Sequence, residues 1–301
     1  MRSRPIATDN STQLRNAAIT MHKHCPRQAL ALGLISGLST FAAARDEPAI
    51  TRSAVCRWTQ SPPKLDGKLE DAAWKDAAPI EAFAASWKQS GDSPATRAFL
   101  LWDNNALYFA ARMSDTELRA FGTKRNDHLW QGDVFELFFK PSAARPEYYE
   151  FQGNPRGVVF EAAWPERGSD FNRATAGPPL GVELAAQIEG TLDKPGDTDQ
   201  SWTIEGRIPW TAFRMTGGRP KSGAEWLFAL CRYDYGPAGT EPVLQSSAPL
   251  TRPRFHRYEV YGKLHFEGPR SKSREKSRSN PVPRPATRRF EPVRDNALRT
   301  E

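Results

Sequence analysis

The stretch LWQGDVFELFF, residues 129–139, decides the fold class. From Val134 to Phe139 every residue is apolar except Glu136. A short apolar run rich in aromatic and β-branched residues, entered through Gln131-Gly132-Asp133 and closed by Pro141, reads as a strand buried on both faces. A carboxylate is costly to bury without a partner, so Glu136 should meet a counter-charge or an opening to solvent. The residues leave two options at this point. Trp130 caps the core and Glu136 pairs with an arginine such as Arg112, or the two form the wall and floor of a ligand site.

Working outward, other segments repeat a period of two. Val182, Leu184, Ala186 and Ile188 alternate with polar or small neighbours, as do Trp202, Ile204 and Ile208; Trp226, Phe228 and Leu230 alternate with Leu227, Ala229 and Cys231 on the other face. Residues 96–102 and 106–113 flank Asp103-Asn104-Asn105, a hairpin signature. Residues 148–153 and 157–164 flank Asn154-Pro155-Arg156 in the same way. Leu65-Asp66-Gly67 is a turn, and residues 69–75 suit a short helix. Many short strands split by Gly, Pro and Asn, with no βαβ rhythm, predict an all-β protein: an antiparallel β-sandwich with short helices.

The 301-residue chain carries a net charge of +7, but that charge is at its ends. Residues 268–301 hold ten Lys/Arg against four Asp/Glu, and residues 1–44 hold five against one, which leaves residues 45–267 at −3. A nucleic-acid ligand for the folded part is therefore not expected. The segment after Met21 has His22, Lys23 and Arg27, then an apolar run over 29–41, then Ala42-Ala43-Ala44. Basic, apolar and small-residue regions in that order read as a secretory signal cleaved after Ala44, with a secreted or periplasmic product. The run is too short for a transmembrane span. Residues 268–301 lack an apolar pattern and are expected to be a disordered basic tail, a solvated segment or a contact for anionic surfaces. Three regions follow: 1–44, 45–267 and 268–301. Cys56 and Cys231 remain after cleavage, as one disulfide or as two buried thiols.

Catalytic motifs are absent: no G-x-S-x-G, H-E-x-x-H, P-loop or G-x-G-x-x-G occurs. Asp133 and Glu136 differ by three, so a strand points them to opposite faces. Binding is the better-supported class, since an aromatic ring beside a carboxylate suits a sugar. Two other classes stay open. One is a haem protein using Met113, His128 or His256, and the other is a glycoside-acting enzyme with dispersed carboxylates.

Five stretches complete the sequence reading: residues 64–74 (KLDGKLEDAAW), 105–115 (NALYFAARMSD), 130–138 (WQGDVFELF), 202–210 (WTIEGRIPW), and Phe255-His256-Arg257-Tyr258 through Tyr261-Gly262-Lys263-Leu264. In this order the chain resembles the family-nine carbohydrate-binding module and its DOMON-like relatives, over about residues 55–267. The resemblance implies a β-sandwich of jelly-roll or immunoglobulin-like type that binds polysaccharide or oligosaccharide, without catalysis, between two tryptophans. It also implies structural calcium. Trp130 and Glu136 match the first stacking tryptophan and a sugar-binding carboxylate, and Gln152, with Arg156 in the next turn, matches a further polar contact. No tryptophan stands at 244–249, where the second is expected; Trp164, Tyr233 and Tyr235 are the candidate replacements. Asp66, Asp127 and Asp133 are the candidate calcium ligands, or turn aspartates that cap backbone groups.

Overall fold

The computed structural model describes residues 52–85, 94–237 and 240–269. The expected signal region lies outside these residues, as does the tail from residue 270 onward. Among the described residues eleven strands form the fold: β1 (Ser53–Trp58), β2 (Thr96–Trp102), β3 (Ala106–Ser114), β4 (Val134–Lys140), β5 (Tyr148–Gly153), β6 (Val159–Trp164), β7 (Glu183–Glu189), β8 (Ser201–Pro209), β9 (Glu225–Asp234), β10 (Val243–Ser246) and β11 (Gly262–Glu267). Helices are short, α1 (Ala72–Lys75) and α2 (Phe171–Thr175). Both expected hairpins form, β2–β3 and β5–β6, each with antiparallel register.

The strands make one hydrogen-bonded path, β6-β5-β4-β9-β11-β1-β2-β3-β8-β7, with β10 added to β9. The path folds back on itself, so β4, β5 and β9 face β2, β3 and β8 across a shared core. Leu100, Phe109, Phe135, Phe151, Trp202 and Phe228 are among the residues that fill it. One expectation is corrected. The sheet is not wholly antiparallel, because β1 runs parallel to both β11 and β2. Parallel neighbours need long crossovers, and β1 meets the far carboxyl end of the domain, a pairing that no local pattern encodes.

The quoted strand is buried on both faces because the fold has a second apolar layer. Phe135, Leu137 and Phe139 enter the inter-layer core, while Val134 and Phe138 face outward into another cluster. Ala174, Ala248, Leu250, Phe255 and Tyr261, from the segments that cross this outer face, seal the cluster. Cys56 belongs to the inner core and Cys231 to the outer cluster, and both are free thiols.

A buried carboxylate organises the opposite side. Glu205 on β8 accepts hydrogen bonds from Asp66 N (3.2 Å), Gly67 N (2.7 Å) and Trp74 Nε1 (2.7 Å). These bonds tie the Leu65-Asp66-Gly67 turn and α1 to the sheet, with Trp74 packed against Leu101, Ala106 and Tyr108. Gly67 has φ +79°, and a Cβ there would lie 2.9 Å from the Ala186 carbonyl carbon, so no other residue fits without strain.

Candidate functional site

Strand alternation builds the site on the outer face of β4, β5 and β6. Glu136 pairs with Gln152, and Gln152 with Phe160; Phe138 pairs with Glu150; Tyr148 pairs with Trp164. Residues two apart share a face, so Glu136, Glu150, Gln152 and Trp164 project the same way. They line a cavity of about 1100 Å³. Trp130 lines it as well, from the 3-10 turn Leu129–Gln131 that leads into β4. The His128 ring stacks on the indole at 4.6 Å and 18°, and Phe160 and Phe171 meet it edge-on at 5.7 and 6.0 Å. The indole orientation is therefore set by packing before any ligand arrives.

The floor is polar and partly unsatisfied. Glu150 accepts from Gln152 Nε2 (2.6 Å) and Trp164 Nε1 (2.9 Å), with His256 Nε2 at 3.8 Å. His256 Nδ1 shares a 2.9 Å hydrogen bond with the Tyr148 hydroxyl. Glu136 has no hydrogen-bond or ion-pair partner among the described residues. Arg112, the expected counterpart, pairs with Glu189 instead, because it lies on β3 in the other layer. Gln152 Oε1 is buried without a partner. Burial, reinforced by the charge of Glu150, pushes the Glu136 carboxyl well above its ordinary value of 4.5. A carboxyl raised in the folded state stabilises the fold below its unfolded value, and that contribution is lost as pH rises towards the folded value. Glu136→Gln should therefore flatten the fall in urea midpoint as pH rises above the ordinary carboxyl value of 4.5, with a gain of roughly 1–2 kcal/mol at alkaline pH. A variant that tracks the wild type across this range would show that Glu136 is solvated.

Five of the six residues expected from sequence meet in this cavity: Trp130, Glu136, Gln152, Trp164 and Tyr233. Arg156 does not. It lies in the exposed β5–β6 turn and pairs with Asp193, because the turn carries it beyond the end of the strand face. Tyr235 is not among the lining residues, and its hydroxyl donates to the Trp130 carbonyl. Glu150 and Tyr148 are not among the site residues expected from sequence, and His256 is expected there only as a candidate haem ligand. For Glu150 and Tyr148 the signal was present, since both share the parity of Gln152. His256 comes from a loop, 251–257, with no periodicity to read.

The expected metal ligands are not gathered. Asp66 accepts from Lys68 N and pairs with Lys64, and Asp127 caps Thr123 N and Lys124 N. Both are turn-capping residues. Asp133 alone joins a carboxylate cluster, with Asp115 and Asp234, whose oxygens lie within 4.8 Å of one another. Arg232 donates to Asp115 (3.1 Å) and to Asp234, so the cluster contains its own cation and does not suit calcium while that guanidinium stays in place. Met113 is packed in the inter-layer core and does not line the cavity, whereas His256 does.

The family model for the carbohydrate family 9 binding domain-like group matches residues 65–268, more than half of the chain. The chain belongs to this family. Among curated proteins, this family member is 23% identical over 157 residues to Exoglucanase XynX of Acetivibrio thermocellus and 24% identical over 155 residues to Endo-1,4-beta-xylanase A of Thermotoga maritima. Those matches cover 52% and 51% of the chain, but only 12% and 13% of the enzymes. Among solved structures, a candidate carbohydrate-binding protein from Bacteroides uniformis superposes with a TM-score of 0.58 at 18% identity, over 72% of this chain and 100% of that one. That likeness supports the fold. A family 9 module from Caldicellulosiruptor kristjanssonii, solved with cellotriose, has a TM-score of 0.48 at 15% identity, over 74% of this chain and 96% of that one.

Proposed function

We propose that this chain is an exported, non-catalytic carbohydrate-binding protein that serves polysaccharide recognition or breakdown. The observation that carries the reading is the unmatched polar floor of a cavity walled by Trp130: the Glu136 carboxyl, which meets no protein hydrogen-bond partner among the described residues, and the buried Gln152 Oε1. A sugar ring supplies what this arrangement lacks: hydroxyl donors for the floor and an apolar C–H face for the indole. Trp164 and Tyr233 stand in for the second aromatic of the family pattern. Export rests on the order of basic, apolar and small residues over 21–44. Among the described residues no helix is long and apolar enough to cross a membrane.

The test is a glycan array followed by titration of the purified full chain with the best neutral oligosaccharides, with and without calcium chloride. Trp130→Ala should weaken binding about tenfold or more while the protein stays folded, since stacking and buried ring area are both lost. A folded wild-type chain that bound no glycan would sink the reading. A second reading, cleavage of glycosides, draws on the presence of Glu136 and Glu150 in one cavity. Release of reducing ends during the same titration would favour it.

A further inference from the structure

The loop 251–257 adds a strongly basic rim to a mouth whose other charges, Arg167 and Glu259, pair with each other. Arg252, Arg254 and Arg257 line the same cavity as Trp130 and Glu136. Arg252 and Arg254 are exposed, and neither has an ion-pair partner among the described residues. Arg257 donates to Thr251 Oγ1 at 2.8 Å and has no carboxylate. The exposed arginines of the strands and hairpins differ: Arg97, Arg112 and Arg145 each hold a glutamate. On the facing rim, Arg167 is already neutralised by Glu259.

Guanidinium groups bind carboxylate and sulfate oxygens through paired N–H donors, which a neutral hydroxyl does not match. Resting on the carbohydrate reading, we infer that the site prefers an acidic sugar, one ring carrying a carboxylate or a sulfate. The ring would lie on Trp130 with its hydroxyls on the Glu136–Gln152 floor. Its anionic substituent would point outward to Arg252 and Arg254, away from the floor carboxyls. Orientation follows from charge: the Glu150 carboxylate of the floor repels the anion and the basic rim attracts it. A neutral glycan would use the floor and leave the rim arginines in water.

The experiment uses the full chain and one sugar backbone that differs only in charge: cellotriose, cellotriose oxidised to the uronate at one C6, and cellotriose 6-sulfate. Two exposed ion pairs, each giving a few-fold, predict that an acidic form binds about tenfold tighter than cellotriose. The preference should shrink as salt rises. In the Arg252→Gln/Arg254→Gln double variant the acidic-to-neutral ratio should fall to about one. The stronger of the uronate and sulfate arms identifies the substituent. Equal affinity for charged and neutral forms overturns the inference and leaves the carbohydrate reading standing. A preference that survives the double variant also overturns it. So does acidic binding that survives Trp130→Ala, which would trace it to the basic chain ends. Failure of all three sugars to bind the folded chain removes the inference together with the reading it rests on.

Discussion

Replacing Arg232 with methionine should cost about 3–5 kcal/mol of folding free energy, the largest single effect we expect, because it strips the cation from a buried group of carboxylates. Arg232 is fully buried on β9. Its Nη2 donates to the Ser114 carbonyl (2.7 Å), to Asp115 (3.1 Å) and to Asp234. Asp133 takes the backbone N–H groups of Arg119 (2.6 Å) and Tyr235 (2.7 Å), so the cluster also ties three loops together. Burial, together with the charge of Asp234, pushes Asp115 up to about 7, and burial with the charge of Asp115 pushes Asp133 up to about 8. Raised carboxyls stabilise the fold below their unfolded value near 3.8, and that contribution fades as pH rises through about 7 to 8. The wild type should lose stability over that window, and the variant should lose more, since Arg232 lowers the carboxyl of Asp115. Urea unfolding at about pH 6 and about pH 8 reads both effects. A variant within about 0.5 kcal/mol of wild type at the higher pH would show that the acids take up protons without strain. Calcium gives a further reading. If it raises the midpoint of Arg232→Met and not of the wild type, the guanidinium occupies the place of a metal ion.

Glu205→Ala is the second large effect, expected at about 2–4 kcal/mol. Its carboxylate takes three donors at once, two from the backbone of the Leu65-Asp66-Gly67 turn and one from the Trp74 indole. Deletion leaves these donors unmatched and a space behind them, since Glu205 has no solvent exposure. Removing a buried carboxyl that desolvation already raises offsets part of the loss. Glu205→Gln, which keeps the shape and one acceptor oxygen, should recover much of it. Amide exchange supplies an independent check: residues 66–77 should lose protection in the alanine variant well before β2 and β3 do. Uniform loss across the domain would mean that the turn is not an independently tethered unit.

What was legible in the sequence was local. The run Val134–Phe139 specified a two-sided buried strand and the Asn- and Pro-containing turns specified two hairpins, while Glu136 and Gln152 entered as site residues through the family resemblance and the structure supplied the register that pairs them. Period-two alternation encodes such facts within a few residues. The family resemblance rested on five short stretches in order, each of them local as well. Parity would also have nominated Glu150 and Tyr148.

Only the tertiary structure decided the rest. Arg112 and Arg156 found glutamate and aspartate partners elsewhere, Asp66 and Asp127 became turn caps, and Asp133 joined Asp115 and Asp234 around Arg232. Cys56 and Cys231 went to different layers. β1 took parallel partners from both directions, and the loop 251–257 brought arginines to a cavity whose floor lies more than a hundred residues earlier. The physical reason is common to all of these. A side chain's face is set by its own strand, whereas its charge partner is set by which distant segments close over that face, and chain closure leaves no periodic trace in the sequence.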